Sequence, residues 1–511
     1  MILFFCLYSR AAENEGSYMT DMINTTDSHR SKYEWLYIFL LVFVPFITFI
    51  GGANYPFMEE WDDWEFVTGN THLIPTFENF KYFLSDVVYS QIVFSPALMY
   101  SMMLDRWLFG LNSFGYHIHN ILLHCIATLL LYGIARHLGI RGWIAFLIAL
   151  LWAVHPQRVE SVIWITERKD VLAGVFSFGA ILMFMRSFDR SKIPYWAIVL
   201  LLLAMSTKPS TLSLPGIMVL YALCRRFEWR VIKYLWPVVM AAMAFYVYSY
   251  SVSHANLAGI AEVMPRLLLV PLHNACWYLI TAVLPFELNP IYPRVGFDFH
   301  TWLVLISGAT VITACVTALL LYNISRKDIL LKTLAFAGAW LCCFLPVSAV
   351  MMRFTNTDYC YRYNYLLSAV VWIGLGILSE KLIGGGRNSF RYSRIIAAGA
   401  ICIASVYMLL SINYLPVWRD TKTLFMRALE TPYPNAKAIE GLGRTGLRRN
   451  DPETLELAGN MFIGLSRKSK HIPLSDDVKN PVSDYYTGVF YSGMVSQPSR
   501  NFLKPVFQGI I

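Results

Sequence analysis

The sequence predicts an all-α protein that crosses a membrane many times, and both its composition and its apolar pattern indicate this. Of the 511 residues, 56% are hydrophobic and 15% are charged. Soluble domains are about 45–50% apolar and about 25% charged. The mean hydropathy of +0.48 agrees with this contrast. Together these values exclude a soluble enzyme, a disordered chain and a fibrous repeat.

Apolar stretches close to the length of a transmembrane helix, about 20 residues, recur along the chain. A further apolar stretch, 263–285, contains three prolines, so it either spans the membrane or lies in the interface. Residues 1–33 are predicted to form a poorly ordered cytoplasmic segment, and the loop 53–115 is predicted to hold amphipathic helices on the outer face. Eleven stretches are predicted to span: 35–52, 116–135, 142–156, 170–186, 194–207, 211–225, 233–253, 301–323, 331–350, 363–380 and 395–415.

The distribution of Lys and Arg sets the predicted orientation. One set of loops holds 16 Lys and Arg in 48 residues: 135–142, 186–193, 225–233, 325–332 and 380–394. The opposite set holds 8 in 84 residues: 155–170, 206–213, 253–300 and 351–362. Because cytoplasmic loops carry the positive excess, the first set is predicted to be cytoplasmic. The net charge of +9 then needs no nucleic-acid partner, and none is expected.

Four carboxylates lie together in the first predicted outer loop, at Glu59, Glu60, Asp62 and Asp63. Clustered carboxylates suit proton transfer or a bound cation, because like charges raise one another's pKa. A solvated loop edged by interfacial tryptophans is the alternative interpretation.

A second charged group lies in the string HPQRVESVIWITERKD, residues 155–170, between two apolar stretches. Charges at membrane depth are costly and usually mark function. The cations in this string indicate a phosphate-binding site, since Arg can donate two parallel hydrogen bonds to a phosphate and Lys carries a compact charge. Mutual neutralisation within an outer loop is the alternative.

Two more cations lie at the predicted outer ends of spans. Lys208 occupies the tight STKPS turn, where a snorkelling side chain is the alternative. Arg362 lies among four tyrosines, and an interfacial tyrosine belt is the alternative there. Both positions suit a lipid-linked phosphate at the membrane surface.

Taken in order, several strings resemble the GT-C glycosyltransferase superfamily. The resemblance is strongest to the bacterial-type protein O-mannosyltransferase-related proteins, which carry transmembrane spans and tetratricopeptide repeats. The strings are WDDWEFVTGNTHLIPTFENFKYF, FGLNSFGYHIHNILLH, HPQRVESVIWITERKDVLAGVF, STKPSTLSLPGIMVL and VWRDTKTLFMRALETPYPNAKAIEGLG. YRYNYLLS departs from the family's ERYxYLPS because it lacks the acid and the proline. The resemblance implies a GT-C catalytic domain over 34–415 and a truncated tetratricopeptide-like helical region, outside the membrane, over 416–511.

The resemblance also implies a reaction, in which a sugar, mannose in this branch, moves from a polyprenyl-phosphate carrier to a hydroxyl with inversion. It implies that Asp63, or Asp62, accepts the proton of the hydroxyl. The donor would reach the site through membrane lipid, and the acceptor would be protein Ser or Thr, or a lipid. The residues implied to bind the lipid phosphate and sugar are His155, Glu167, Arg168, Lys169, Asp170, Lys208, Arg362 and Tyr363.

Several alternatives stay open. One is a glycolipid or polysaccharide transferase of the aminoarabinose-transferase type, and another is an inactive membrane scaffold. A transporter is disfavoured because polar groups lie at the outer ends of the spans and no internal repeat is evident. No metal is predicted with certainty, but Glu60, Asp62 and Asp63 leave open a weak site for Mg²⁺ or Mn²⁺. The outer face would be the periplasmic side of a bacterial membrane or, alternatively, the lumen of the endoplasmic reticulum.

Overall fold

The computed structural model describes residues 33–85, 94–225, 232–252, 266–292, 295, 301–310, 327–348, 358–383, 389–430 and 436–469. These residues form α-helices, short 3₁₀ and π turns and loops, with no strand among them, and the predicted all-α fold class is confirmed. The predicted N-terminal segment lies outside the described residues except for Tyr33, as does the chain after residue 469.

The α-helices are numbered here in chain order. They are α1 (Glu34–Phe49), α2 (Phe77–Ser85), α3 (Pro96–Phe109), α4 (Ser113–His137), α5 (Gly142–Ala153), α6 (Arg158–Ile163), α7 (Arg168–Asp189), α8 (Tyr195–Met205), α9 (Leu214–Arg225), α10 (Ile232–Val252), α11 (Arg266–Thr281), α12 (Thr301–Thr310), α13 (Lys327–Phe344), α14 (Asn364–Ile383), α15 (Ser389–Tyr414), α16 (Thr421–Leu429), α17 (Ala436–Arg449) and α18 (Pro452–Ser469).

Among the residues that the structure describes, five helical segments are long and apolar enough to cross a membrane, so the chain is an integral membrane protein. The predicted count of eleven spans stays a prediction, because parts of the stretches 233–253 and 301–323 lie outside the described residues. The ambiguous stretch 263–285 contains α11, which is too short to count among the five. The five segments are Glu34–Gly52, Ser113–His137, Ile165–Asp189, Tyr361–Ile383 and Ser389–Trp418.

Helix α4 is central to the fold, because α1, α5 and α7 all pack against it. At its start, the Asn112 side chain accepts a hydrogen bond from the backbone N–H of Phe114 and so caps the first turn. At its end, Gly139 takes a φ of 85°, which lets the chain reverse toward α5. The buried Ala127 and Leu131 lie on its packed surface.

Helices α7 and α14 meet at Gly174. A Cβ atom at this position would lie 2.5 Å from Cε1 of Tyr365, so a side chain larger than hydrogen would displace that ring. Tyr365 is buried, and its hydroxyl hydrogen-bonds with Nδ1 of His124 on α4. This close approach brings the start of α14 beside the start of α7.

The C-terminal helices share one apolar core with the membrane helices. Trp418, Leu424 and Ile439 belong to the same buried cluster as Val162 and Trp164 of the predicted outer loop. Helices α17 and α18 pack against each other as a pair, and the tetratricopeptide-like character of this region stays a prediction. The predicted domain boundary at 415/416 stays a prediction, but the two sides of it are packed together.

Candidate functional site

The segment from 155 to 170 is folded into the protein and is not an extended surface loop. It forms the short helix α6, the 3₁₀ turn Ile165–Glu167 and the start of α7. Charged side chains are rarely buried unless they are paired. Here five charged side chains are at most 3% exposed: Arg158, Glu160, Glu167, Arg168 and Asp170.

Arg362 joins two of these carboxylates. Its Nη1 lies 2.5 Å from Oε1 of Glu160, and its Nε lies 3.2 Å from Oε1 of Glu167. Its backbone N–H donates to Oε2 of Glu160 at 3.1 Å. The guanidinium also lies over the rings of Trp164 and Tyr363, at 5.5 and 5.1 Å from their centroids. Arg362 is thereby held in place from several sides.

Lys208 is paired with Asp170. Its ammonium donates to Oδ1 of Asp170 and lies 5.3 Å from the centroid of the Tyr363 ring. The other carboxylate oxygen of Asp170 accepts a hydrogen bond from Ser161 at 3.0 Å. Lys208, in the sequence STKPS, immediately precedes the 3₁₀ turn Pro209–Ser213.

Lys169 completes the group. Its Nζ lies 2.9 Å from Oε1 of Glu167 and 5.6 Å from the centroid of Trp164. Its side chain is 22% exposed, the most of the group. We call the following six residues the charged cluster, in which three cations balance three carboxylates: Lys169, Lys208, Arg362, Glu160, Glu167 and Asp170.

A cavity opens beside the charged cluster. It encloses about 410 Å³ of empty space, including solvent at its mouth. Two cations, a carboxylate and two serines make one part of its wall polar, and the remaining wall is mainly apolar. The lining residues are Asp170, Ala173, Lys208, Ser210, Ser213, Leu214, Cys343, Val347, Arg362, Tyr363, Tyr365 and Leu366.

Asp63 is buried against the 155–170 segment. Its Oδ1 accepts hydrogen bonds from the backbone N–H of Thr166, at 3.2 Å, and from the Thr166 hydroxyl. Its Oδ2 accepts from the backbone N–H of Met58 at 2.8 Å. Burial raises the pKa of Asp63 to about 6, although these hydrogen bonds lower it. Thr166 immediately precedes Glu167, so Asp63 is bound to the residue next to the charged cluster, but it is not among the residues that line the cavity.

Asp62 is partly exposed, and its charge interacts with that of Asp63. Glu60 faces the C-terminal helices, where it accepts from Thr421 Oγ1 at 2.5 Å and pairs with Arg449 Nε at 3.1 Å. In the described part of the chain, no group of three or more His, Cys, Asp or Glu side chains is arranged to hold a metal ion. The alternative of a divalent site at Glu60, Asp62 and Asp63 is therefore wrong as a three-residue site, because the oxygens of Glu60 and Asp63 bind other groups.

Arg168 lies apart from the charged cluster, although it is adjacent to Lys169 in sequence. Its guanidinium binds Asp105 at 2.5 Å, Asn120 at 2.7 Å and the backbone carbonyl oxygens of Ser101 and Tyr116 at 3.2 and 3.0 Å. Both Arg168 and Asp105 are fully buried. The structure therefore assigns Arg168 to the joining of α3, α4 and α7 and not to a phosphate-binding site.

His155 also lies apart from the cavity lining. It is buried, accepts a hydrogen bond from the backbone N–H of Gln157 at 3.3 Å and packs edge-on against Tyr407 at 4.5 Å. Burial lowers its pKa, so this imidazole is neutral. Its contacts join the end of α5 to α15.

Glu160 and Trp164 contact Arg362 in the site, although the sequence did not predict a role for either of them. Burial raises the pKa of Glu160 to about 7, although the neighbouring Arg362 lowers it. A signal for Glu160 was present, because it is an acid in the charged string 155–170, seven positions before Glu167. Thr166, which binds Asp63, carried no comparable signal.

The arrangement is suited to an anion. Two fixed cations, Lys208 and Arg362, face one small cavity, and each is buried enough for its charge to act strongly. Both cations lie over the aromatic ring of Tyr363, at 5.3 and 5.1 Å from its centroid. An anion of phosphate type could replace part of the carboxylate pairing at this point.

Comparison with known proteins gives a family similarity. Residues 94–254 match the family described as dolichyl-phosphate-mannose-protein mannosyltransferase. The chain is 33% identical over 143 residues to protein O-mannosyl-transferase TMTC1 of Mus musculus, which covers 25% of this chain and 15% of that protein. It is 28% identical over 125 residues to protein O-mannosyl-transferase F38B6.6 of Caenorhabditis elegans, covering 24% and 18%. The matched region thus spans less than a fifth of either relative.

Among solved structures, the chain is similar to the archaeal oligosaccharyltransferase AglB from Archaeoglobus fulgidus in complex with an inhibitory peptide and a dolichol-phosphate. The TM-score is 0.41 with 15% identity, over 83% of this chain and 59% of that chain. The family match covers the 155–170 segment and Lys208. The family match and the relatives confirm the resemblance to protein O-mannosyltransferases, over a region that carries most of the charged cluster.

Proposed function

We propose that the chain is a GT-C-type membrane glycosyltransferase that moves a sugar, mannose, from a polyprenyl-phosphate carrier to a hydroxyl group of a protein, with inversion. The observation that carries the proposal is the cavity lined by Lys208, Arg362 and Tyr363. The cavity lies beside α7, and α7 and Lys208 belong to the region that resembles mannosyltransferases, whereas Arg362 and Tyr363 lie outside it.

The cations would act on the leaving group. When the bond between the anomeric carbon and the phosphate oxygen breaks, the electron pair and a second negative charge stay on the polyprenyl phosphate. Lys208 and Arg362 would stabilise this developing charge, because they are held in fixed positions before the reaction. Tyr363 would support both cations through its ring.

The carboxylates of the first outer loop would accept the proton of the acceptor. The acceptor oxygen forms a bond to the anomeric carbon and gives its proton to a carboxylate. Asp63 is buried and held by Thr166, next to the charged cluster, and Asp62 is more exposed beside it. We propose the pair as the base, with Asp63 as the first candidate because its raised pKa suits proton transfer near neutral pH.

The remaining cavity wall suits the carrier's tail. Leu214, Val347 and Leu366 are apolar and come from the starts or ends of three helical segments. A prenyl chain would lie against them within the membrane, so the donor would reach the site by lateral diffusion. We propose that this site faces the outer side, the periplasm of a bacterium or the lumen of the endoplasmic reticulum.

A second candidate function is an inactive membrane scaffold. The observation that favours it is the closed set of ion pairs, because each cation of the charged cluster already binds a carboxylate. In a scaffold these pairs would serve only to join the helices.

A transfer assay separates the two candidates. Purified full-length protein in lipid nanodiscs would receive polyprenyl-phosphate-mannose labelled in the sugar, with Ser/Thr-containing peptides or glycolipids as acceptors. We expect transfer to a peptide hydroxyl, with the opposite anomeric configuration to the donor by NMR. Transfer by wild type to none of the acceptors would contradict the proposal and favour the scaffold.

The same assay tests the base. Asp63→Asn and Asp62→Asn would be compared with Glu453→Gln, which changes an exposed carboxylate of α18. We expect a loss of at least about 100-fold in the variant that lacks the base, as is usual for such groups. Equal transfer by both aspartate variants and the control would exclude a base role for the pair.

A further inference from the structure

The segment that carries the two aspartates is held by the C-terminal helices. We call residues 59–64 the acidic segment. The backbone carbonyl oxygen of Glu59 accepts a hydrogen bond from Arg448 Nη1 at 2.6 Å. The Glu60 carboxylate accepts from Thr421 at 2.5 Å and pairs with Arg449 at 3.1 Å. Arg449 also donates to the Thr421 hydroxyl at 3.2 Å, so these three side chains form a closed set.

Aromatic contacts join the same two parts. The ring of Trp61 stacks on Phe425 of α16, with centroids 5.3 Å apart and planes at 4°. Its edge meets Trp164 at 5.0 Å. The Arg448 guanidinium lies 5.5 Å from the centroid of Trp64. Four of the six residues of the acidic segment therefore contact the C-terminal helices or the residues beside them.

The opposite side of the acidic segment faces the charged cluster. Asp63 binds Thr166, next to Glu167, through both the backbone and the hydroxyl of the threonine. The charge of Asp62 acts on Lys169. The acidic segment thus lies between the C-terminal helices and the 155–170 segment, and its two sides have different partners.

The C-terminal helices are themselves fixed by a helix cap, an ion pair and packing in the shared apolar core. Asp420 caps α16 by accepting from the N–H of Thr423 at 3.0 Å, and Lys422 pairs with Asp451 at 2.8 Å, which joins α16 to the start of α18. Leu424 and Leu442 are fully buried in the core that also contains Trp164. The C-terminal helices are therefore anchored to the membrane helices.

We propose that α16 and α17 are a positioning element, which holds the acidic segment so that Asp62 and Asp63 face the charged cluster. Arg448, Arg449 and Glu60 are the positioning residues, and none of them touches the cavity. The consequence for catalysis rests on the proposed function, but the hold on the acidic segment does not. Arg449 is 37% exposed, and ion pairs at this exposure contribute little to global stability. Their loss should therefore act locally.

Hydrogen–deuterium exchange tests the hold without any assay of transfer. Wild type and Arg448→Ala/Arg449→Ala would be compared as full-length proteins in nanodiscs. We expect exchange across 58–69, including the Met58 amide that Asp63 binds, to become about tenfold faster, because hydrogen bonds to charged groups are lost. Exchange in α4 should not change. The control is Glu430→Gln, which breaks the exposed pair between Glu430 and Arg427 in the same region.

A charge exchange provides the matched rescue. Glu60→Arg alone should speed exchange across 58–69, and Glu60→Arg with Arg449→Glu should restore at least part of the protection. Unchanged exchange across 58–69 in Arg448→Ala/Arg449→Ala would overturn the proposal. Faster exchange throughout the chain would overturn it as well, because the residues would then support the whole fold.

Transfer and donor binding then test the catalytic consequence. In Arg448→Ala/Arg449→Ala we expect kcat to fall about tenfold, while the Kd for polyprenyl-phosphate-mannose stays within twofold of wild type. Equal losses in kcat and donor binding would contradict a positioning role. An inactive wild type would overturn the proposed function, whereas the exchange experiment would still decide whether the C-terminal helices hold the acidic segment.

Discussion

Arg362 joins the 155–170 segment to the start of α14 in the candidate site. It belongs to the turn before α14, yet its partners Glu160 and Glu167 lie about 200 positions earlier in the chain. A donor phosphate that binds Arg362 must share it with these carboxylates. The protonation state of Glu160 should therefore control how much positive charge the cavity presents.

The first prediction concerns Glu160. Its pKa is raised to about 7 by burial, so it takes up a proton as the pH falls through this value. Neutral Glu160 leaves Arg362 less compensated, because Glu167 is then its remaining carboxylate partner. We expect the affinity for polyprenyl-phosphate-mannose to rise as the pH falls from 8 to 6. The donor is a phosphodiester, so its own charge is constant over this range.

Glu160→Gln provides the check. We expect this variant to bind the donor with the low-pH affinity of wild type at every pH from 6 to 8, a gain of up to about tenfold at pH 8, the equivalent of about 1.4 kcal/mol. The measurement is a Kd by equilibrium binding in nanodiscs. A pH dependence that is the same in the variant and in wild type would contradict the role given to Glu160.

The second prediction concerns Asp63. Burial raises its pKa to about 6, and a general base must be ionised to act. The rate of transfer should therefore increase as the pH rises from 5 to 7, with half of the maximum near pH 6. If Asp63 is the base, the transfer rate of Asp62→Asn should show the same increase between pH 5 and 7. If Asp62→Asn lacks this increase, Asp62 is the base.

At the scale of elements, the start of α7 distributes three consecutive charged residues to three neighbours. Arg168 faces Asp105 of α3 and the residues of α4, Lys169 faces Glu167, and Asp170 faces Lys208. Successive residues of a helix point about 100° apart, so adjacent charges enter different environments. One short helical start thus supplies both a structural ion pair and part of the candidate site.

The third prediction separates these roles. Arg168→Leu leaves the buried Asp105 with only His119, which lies 2.6 Å from its Oδ1, and breaking a buried ion pair costs about 3–5 kcal/mol. We expect a clear fall in the melting temperature of the protein in nanodiscs. The double variant Arg168→Leu/Asp105→Leu should recover much of the lost melting temperature. A double variant that melts no higher than Arg168→Leu would contradict the pairing.

The sequence predicted part of this arrangement and missed part for physical reasons. The long apolar helices followed from apolar length, and the cations at their ends followed from charge position; both are local properties. The assignment of Arg168 failed because its acid partner lies 63 positions earlier, and no local pattern shows which side of α7 each charge faces. Lys208 and Arg362 were placed together only through the family resemblance, and the structure does bring them to one cavity.

At the scale of the whole molecule, the charged cluster, the acidic segment and the C-terminal helices lie together. Helices α16 and α17 contact the acidic segment, and the acidic segment contacts the start of α7. A different charged group, which includes His137 and Asp189, joins the far ends of α4 and α7. The two ends of α4 and α7 therefore carry different charged groups.

The fourth prediction tests that orientation. Arg190→Cys lies beyond the end of α7 in a predicted cytoplasmic loop, and Glu453→Cys lies in the exposed first turn of α18. We expect a membrane-impermeant maleimide to label Glu453→Cys from the outer side of sealed membranes, and Arg190→Cys only after permeabilisation. Wild type measures the background from native cysteines. Labelling of both positions from one side would contradict the topology.

We propose above all that Lys208 and Arg362 bind the donor phosphate. The most direct test compares the Kd for polyprenyl-phosphate-mannose of wild type with that of Lys208→Gln. Lys208→Gln alone leaves the buried Asp170 carboxylate without its cation, so the double variant Asp170→Asn/Lys208→Gln removes that carboxylate charge as well. The control is Lys192→Met, which removes an exposed cation between α7 and α8. We predict at least about tenfold weaker binding in both Lys208 variants, the loss of one charge-assisted contact, and no change in Lys192→Met. Binding of equal affinity in all four proteins would contradict the account.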